Sequence, residues 1–188
     1  LLPPRSALIE SLSGSYMRSS NTHHLNTNAV VTITSGPGTE LAVGLSEQAI
    51  SEISGAFSVT VAARFDEVEG RSRQRIFDFS NGPSTDGVYF GQVENTSDMQ
   101  LGVFFGSTLF SLVASNVIVR GETATWTVSV DPNGIGKIEK DGTAVAEGTM
   151  PIPNDIRRSQ KLLGRSPFPE DSPLRGAIIT FFLSLSSR

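Results

Sequence analysis

Short runs in which apolar and polar residues alternate recur along the chain. Within residues 57–65, Phe57, Val59, Val61 and Ala63 fall on one face of an extended backbone. A two-residue period in segments rich in valine, isoleucine, phenylalanine and threonine predicts half-buried β-strands. Strands are predicted at residues 30–34, 57–65, 75–79, 88–93, 99–105, 109–113, 125–131, 135–140, 143–147, 161–164 and 177–183.

The segments between these runs carry turn residues. Asn-Gly and Asp-Gly pairs occur in residues 80–83, 131–134 and 140–142, and both pairs tolerate the positive φ of tight hairpins. Many short strands at this spacing predict an all-β fold, a two-sheet antiparallel jelly-roll sandwich. Residues 6–12 and 46–53 have a helical spacing of apolar positions, which predicts one or two short helices at the edge of the sandwich.

Composition fits one globular domain. The chain has 188 residues, of which 38% are hydrophobic, so we predict a single domain over 1–188 with a polar N-terminal arm at 1–28. No apolar run reaches the ~20 residues of a membrane helix, so membrane insertion is not expected. A net charge of -4 disfavours nucleic acid as a partner. The absence of cysteine excludes disulfides, thiolate metal sites and cysteine nucleophiles.

Several motifs follow one another in an order that resembles a known family. They are RIFDFSNG at 75–82, WTVSVD at 126–131, the hairpin GKIEKDGTAVAEGTMP at 136–151 and LLGRS at 162–166. Over residues 57–183 this succession is similar to the laminin G-like domains of the concanavalin A-like lectin/glucanase superfamily.

The resemblance implies a function as well as a fold. It implies a concanavalin A-like jelly roll that binds carbohydrate or protein through rim loops or a concave face, in a secreted or cell-surface protein. We expect the rim loops to be residues 80–87, 94–98 and 166–174, because rigid strands commonly carry adaptable binding loops.

Calcium is a candidate cofactor, because many laminin G-like domains hold it at one sandwich edge. Calcium takes six to eight oxygen ligands, and the candidate ligands here are Asn81, Asp86 and Asp98. The alternative is that Asn81 and Asp86 only shape turns through local hydrogen bonds.

Other candidate ligand-binding residues are arginines and aromatic side chains. Arg73 and Arg75 share one face of an extended segment, and guanidinium groups suit sulfate and carboxylate, so an acidic polysaccharide is one candidate ligand. Tyr89 and Phe168 are aromatic residues within reach of a rim site. The alternative for the arginines is ordinary surface charge balanced by nearby carboxylates.

The superfamily also contains glycosidases, which require a pair of carboxyl groups. The E-x-D-x-E motif of its laminarinase-like members does not occur, and the nearest feature is Glu67 with Glu69. Because Gly70 and two arginines follow, these glutamates are interpreted as a solvated hairpin tip.

Three further side chains have open or structural interpretations. Trp126 alternates with Val128 and Val130, which predicts a place in the core and not in a sugar site. Asp78 either faces solvent or is a buried acceptor paired with Arg75 or Arg165. The adjacent His23 and His24 lack neighbouring metal ligands and are interpreted as an exposed pair.

The sequence therefore favours a non-catalytic extracellular module that binds a glycan or an extracellular protein. One alternative is a polysaccharide-cleaving enzyme of the same fold that uses Glu67 or Glu69. The other is a structural or assembly domain that associates through an exposed apolar strand edge.

Overall fold

The alternating segments form β-strands in the computed structural model, which describes residues 29–32, 40–41, 43–44 and 53–186. In the long strand Ala56–Phe65, buried and partly exposed side chains alternate as the sequence pattern requires. The strands are β1 (Ala29–Thr32), β2 (Glu40–Leu41), β3 (Val43–Gly44), β4 (Ala56–Phe65), β5 (Arg75–Ser80), β6 (Val88–Gln92), β7 (Met99–Phe105), β8 (Thr108–Ala114), β9 (Thr123–Val130), β10 (Ile135–Lys140), β11 (Thr143–Thr149), β12 (Gln160–Leu163) and β13 (Leu174–Ser186).

These strands build two antiparallel sheets. One sheet has the order β1-β13-β4-β9-β10-β11, and β2 also pairs with β13; the other has the order β3-β12-β5-β6-β7-β8. The chain crosses between the sheets several times, which is the connectivity of a sandwich and not of a simple meander. The predicted all-β jelly-roll class is thereby confirmed.

The core lies between the two sheets and is rich in aromatic rings. Phe77 of β5 meets Phe181 of β13 edge-on, with ring centroids 5.8 Å apart. Phe90 of β6 meets Trp126 of β9 at the same centroid distance, and Trp126 is only 2% exposed. Edge-to-face contacts of this kind add to the free energy gained by burying the rings. The prediction that Trp126 is a core residue is confirmed.

All eleven predicted strands are present, with boundaries shifted by a few residues. The largest difference is at the C-terminal strand, which begins at Leu174 and not at residue 177. The two-residue strands β2 and β3 were not predicted, because two residues are too few to show a period.

The predicted helices and His23 and His24 lie outside the described residues, apart from Ile53, which is buried. Within the described part of the chain no helix is long and apolar enough to span a membrane.

Loops gather at the two ends of the sandwich. Residues 66–74, 94–98, 115–122 and 164–173 lie at one end, which we call the Arg73 end. Residues 81–87, 131–134 and 151–159 lie at the other end, which we call the Asp86 end. This arrangement follows from the strand register, because Arg75 pairs with Gly91 at one end of β5 and Phe79 pairs with Val88 near the other.

Candidate functional site

Main-chain and serine hydrogen bonds fasten the loops of the Arg73 end to one another. The amide of Arg73 donates to the carbonyl of Glu94 at 2.8 Å, which joins loop 66–74 to loop 94–98. Ser72 and Ser172 are joined twice, because the Ser172 amide donates to the Ser72 carbonyl at 2.8 Å and the Ser72 amide donates to the Ser172 hydroxyl at 3.2 Å. Three loops that are distant in sequence therefore form one connected rim.

Two buried glutamines, Gln74 and Gln92, form hydrogen bonds with the same loops beneath the surface of the rim. The Gln74 amide group donates to the carbonyl of Glu67 at 2.7 Å and to the side-chain oxygen of Gln92 at 3.0 Å. Gln92 in turn donates to the carbonyls of Val68 and Thr96, both at 2.9 Å. Both glutamines are 0% exposed, and through these hydrogen bonds they link loop 66–74 to β6 and to loop 94–98. Buried amides that are fully paired in this way fix the backbone around them.

Replacing Gln92 by methionine is expected to loosen this end of the sandwich. The substitution keeps the volume but leaves the carbonyls of Val68 and Thr96 without their donor, which costs about 2 kcal/mol or more in unfolding free energy. Hydrogen–deuterium exchange checks the local effect, which should appear as faster exchange in residues 66–70 and 94–98. Gln100→Met, a partly exposed glutamine on the neighbouring strand, is the control. Equal exchange in both variants would show that the glutamine pair does not hold the loops.

Arg73 lies at the centre of the rim and faces three carboxylates. It is 38% exposed, and its guanidinium contacts Glu94 at 3.0 Å, Asp171 at 3.4 Å and Glu170 at 3.9 Å. The hydrogen bond with Glu94 raises the pKa of Arg73 further above its ordinary value. Arg73 also has a positive φ of 57°, a conformation that the surrounding hydrogen bonds must hold in place. Its charge is already matched by the protein's own acidic groups.

Arg75 is buried on the outer surface of the six-stranded sheet, where it forms a stack with Tyr89. Its guanidinium carbon lies 3.8 Å from the centroid of the Tyr89 ring. The ring in turn lies flat on Gly102 of β7, where any Cβ would overlap it. The Arg75 guanidinium also contacts the Asp171 carboxylate, at 3.5 Å. Asp171 therefore anchors loop 164–173 to both Arg73 and Arg75.

Asp78 lies beside this stack and is 2% exposed. Burial raises the pKa of Asp78 to about 7, because the loss of hydration outweighs the attraction of Arg75, whose Nε lies 4.0 Å away. One Asp78 oxygen and the Ser80 hydroxyl have no hydrogen-bond partner in the described part of the chain. Of the alternatives that the sequence left open for Asp78, the structure selects the buried acceptor next to Arg75.

A groove of about 440 Å³ opens at the Arg73 end between loops 66–74, 94–98 and 115–122. Its polar groups are two carboxylates, one guanidinium and one hydroxyl, and its apolar groups are two aliphatic side chains. The lining residues are Glu67, Val68, Glu69, Ser97, Ile118 and Arg120. Arg120 is oriented by a hydrogen bond of 2.8 Å from its Nε to the Asp66 carbonyl. The volume falls in the range of ligand sites, about 300–1,000 Å³.

The two glutamates of this groove differ in their environment. Glu67 accepts a hydrogen bond of 2.9 Å from Arg71, and this bond holds the pKa of Glu67 below its usual value. Glu69 is exposed. The predicted hairpin is wrong, because β4 and β5 belong to different sheets and residues 66–74 cross between them. Glu67 and Glu69 of this crossover form one wall of the groove.

The calcium prediction grouped residues that the structure separates. Asn81 and Asp86 share a loop at the Asp86 end, whereas Asp98 lies at the Arg73 end, at the other end of the seven-residue strand β7. That strand alone spans roughly 23 Å. The three side chains cannot share one ion, and no group of three or more metal-ligating side chains occurs in the region described.

Each of the three has a structural contact instead. Asn81 donates to the Arg157 carbonyl and accepts from the Ser159 amide, at 2.9 and 2.8 Å. Asp86 accepts from the Gly106 amide, and Asp98 accepts from the Asn116 amide at 2.7 Å. These side-chain hydrogen bonds join each residue to a segment 18 to 78 positions away, whereas the alternative to a metal site predicted local, turn-shaping bonds for Asn81 and Asp86.

Of the predicted site residues, Arg73, Arg75 and Tyr89 lie close together. Phe168 is half-buried and lies in loop 164–173, which Asp171 anchors. Of the three predicted rim loops, 94–98 and 166–174 lie at one end and 80–87 at the other, so they do not form one surface. The sequence analysis missed Gln74, Gln92, Asp171, Ile118 and Arg120. The one available signal was the polar Gln92 inside the predicted strand 88–93, since Gln74 directly precedes the predicted strand 75–79.

The described fold is a laminin G-like sandwich of the concanavalin A-like kind. No profile of a known protein family matches the sequence, and a search of curated proteins also finds no match. Solved structures do match, at sequence identities that establish the fold alone.

Three of these structures illustrate the range of proteins that share the sandwich. The CBM40 module of Ruminococcus gnavus IT-sialidase, bound to α2,3-sialyllactose, has a TM-score of 0.62 and 11% identity over 79% of this chain and 89% of that chain. The LG4-5 domains of the mouse laminin α1 chain have a TM-score of 0.60 and 12% identity over 85% of this chain and 42% of that chain. The NanB sialidase of Streptococcus pneumoniae, as its K499G mutant, has a TM-score of 0.61 and 16% identity over 81% of this chain and 26% of that chain.

Proposed function

We propose that this chain is a non-catalytic, extracellular recognition module that binds a glycan in the groove of the Arg73 end. The observation that carries the proposal is the groove itself, whose walls include loops held by two buried glutamines and by the Ser72–Ser172 pair. Pre-organised walls lower the entropy that a ligand must lose on binding. A groove of this volume accommodates a short oligosaccharide segment.

The lining favours a ligand rich in hydroxyl groups. The carboxylates of Glu67 and Glu69 accept hydrogen bonds from vicinal hydroxyls, and Arg120 and Ser97 donate in return. Val68 and Ile118 supply apolar surface for the C–H face of a sugar ring.

The charges favour a neutral glycan over an acidic polysaccharide. Two carboxylates and one guanidinium line the groove, and the Glu67 carboxylate is already paired with Arg71, so the groove carries no unmatched positive charge. Outside it, Arg73 contacts three carboxylates and Arg75 contacts Asp171 and Asp78, so neither arginine offers unmatched charge to a sulfate or a uronate. Like charges across an interface lower affinity.

The non-catalytic part of the proposal is supported by the state of Glu67. A glycosidase needs one carboxyl with a raised pKa as the general acid. Arg71 instead lowers the pKa of Glu67, and Glu69 is exposed, so neither carboxyl lies in the buried, apolar environment typical of a general acid.

The comparisons support recognition as the activity and a secreted or cell-surface location as the setting. The R. gnavus CBM40 module covered here over 89% of its length is a carbohydrate-binding unit seen with sialyllactose. A protein ligand, the alternative for a laminin G-like sandwich, remains an outcome of the test below.

The test is a glycan array that spans neutral, sialylated and sulfated oligosaccharides, followed by calorimetry on the strongest ligand. We expect neutral glycans to bind and Glu69→Ala to weaken binding about tenfold or more, because a hydrogen bond to a charged group is lost. Glu147→Ala, on the exposed face of β11, is the matched control and should bind as the parent does. Calcium and a chelator in parallel arms test the cofactor prediction. Absence of any glycan ligand, or equal loss in both variants, contradicts the proposal.

A further inference from the structure

Strand β8 forms an open edge of the six-stranded sheet. Within the part of the chain that the structure describes, β8 pairs with β7 only. Three of its side chains expose much apolar surface, since Leu109 and Phe110 are each 43% exposed and Val113 is 41% exposed. Phe105, the last residue of the neighbouring β7, is 49% exposed. An edge of this kind presents a row of unpaired backbone donors and acceptors beside apolar side chains.

The sequence of β8 lacks the features that usually protect an edge. Thr108–Ala114 reads TLFSLVA and contains no charged residue and no proline, and its pairing with β7 has no register shift. The neighbouring edge strand of the other sheet, β11, differs in both respects, since it carries Glu147 and a register shift against β10. Among the described residues, the edge strand β11 is thus protected on this side of the sandwich and the edge strand β8 is not.

We propose that β8 is a self-association surface on which two copies of this chain pair antiparallel about a two-fold axis at Ser111. In that register Leu109 lies opposite Val113 of the second copy, and Phe110 lies opposite Leu112 of the second copy. Ser111 meets its own equivalent, so hydroxyl faces hydroxyl, and Thr108 at the end of the strand lies opposite Ala114. No pair contains a charged residue. The two sheets then continue as one.

A second copy is the partner that this strand fits because the strand is complementary to itself. A two-fold interface places the same surface against itself, which requires that no like charges meet. The uncharged run from Thr108 to Ala114 satisfies this condition although the chain as a whole carries a net charge of -4. Cross-strand apolar pairs each contribute roughly 0.2–1 kcal/mol, and the backbone hydrogen bonds of the edge add to this.

The dimer is expected to be reversible. A single strand edge buries less than the ~800 Å² per partner of a stable interface, which corresponds to a weak complex. The inference does not depend on the glycan proposal, since the groove and β8 share no residue.

Single-cysteine variants test the register directly, because the chain contains no cysteine. In the proposed dimer the two Ser111 Cβ atoms lie about 5 Å apart, close to the spacing of a disulfide. Ser111→Cys should therefore form a disulfide-linked dimer under mild oxidation. Ser115→Cys is the matched control: it is equally exposed, but its two copies lie about 26 Å apart in this register and should stay monomeric. Cross-linking of both variants, or of neither, overturns the proposal.

Sedimentation of the unmodified chain supplies a second, independent readout. We expect a monomer–dimer equilibrium at concentrations up to about 0.5 mM, and its loss in Leu109→Lys/Val113→Lys, because lysine on an edge opposes pairing. Ile179→Lys, which places a lysine at a similarly exposed apolar position on the other sheet, should leave the equilibrium unchanged. A parent chain that stays monomeric at the highest concentration overturns the proposal.

Discussion

Replacing Trp126 by alanine is expected to lower the free energy of unfolding by about 3–5 kcal/mol. The indole is 2% exposed and packs edge-on against Phe90 of the facing sheet, with ring centroids 5.8 Å apart. Its removal leaves a cavity between two sheets that cannot close without shifting strands, so the loss exceeds the transfer free energy of the side chain. Urea titration followed by far-ultraviolet dichroism measures the change, since Trp126 is the one tryptophan available for fluorescence.

The control for this experiment is an apolar residue outside the core. Val119 is 55% exposed, and Val119→Ala should change the unfolding free energy by less than about 0.5 kcal/mol. If Trp126→Ala proves as mild as Val119→Ala, the two sheets do not pack through this aromatic contact.

Asp78→Asn is expected to become more stabilising as the pH rises. The pKa of Asp78 is about 7 in the folded chain, because burial disfavours the ionised carboxyl, and about 3.9 in the unfolded chain. Between these two values the folded state binds more protons at this site than the unfolded state does, so the contribution of Asp78 to stability falls as the pH rises and levels off above pH 7. Asparagine keeps the shape and cannot ionise. The gain in unfolding free energy of Asp78→Asn over the parent should therefore grow by about 2–3 kcal/mol between pH 5 and pH 8.5.

Denaturant titrations of both proteins at several pH values measure this difference. Asp155→Asn, at an exposed position, is the control and should differ from the parent by a nearly constant amount across the same range. A gain from Asp78→Asn that stays constant, or that shrinks as the pH rises, would mean that the carboxyl is stabilised as an anion by Arg75.

The sheets of this fold were accessible from sequence because each strand is a local pattern. Residues 57–65 alternate strictly, and the structure gives them alternate burial in β4. The position of Trp126 followed from the same period. Strands β2 and β3 were not predicted, because each has two residues and an alternating pattern needs a longer segment to be recognised.

The candidate site was less accessible, because its geometry depends on contacts between distant residues. Arg73 and Asp171 are 98 positions apart, and the Gln74 side chain accepts from the Arg175 amide across 101 positions. Neither partner could be assigned without knowing which loops share an end of the sandwich. The calcium prediction grouped its residues wrongly for the same reason. Asp86 and Asp98 are close in sequence, but they lie at opposite ends of a strand.

The predicted rim loops were grouped wrongly for a similar reason. Residues 80–87 and 94–98 flank the same strand, β6, and therefore lie at opposite ends of it. Antiparallel connectivity alone predicts this separation, which the family resemblance had obscured. The loops that do share the Arg73 end are joined by Gln74 and Gln92, whose burial and partners depend on the three-dimensional fold and were not predicted from the sequence.

Amide chemical-shift mapping with the best neutral oligosaccharide tests the central claim most directly, because it locates the ligand without altering a residue. The largest shifts should fall in residues 66–70, 95–98 and 117–121, which surround the groove. Shifts concentrated at residues 81–87 or on the outer surface near Tyr89, or a spectrum unchanged by every glycan, would contradict a binding site at the Arg73 end.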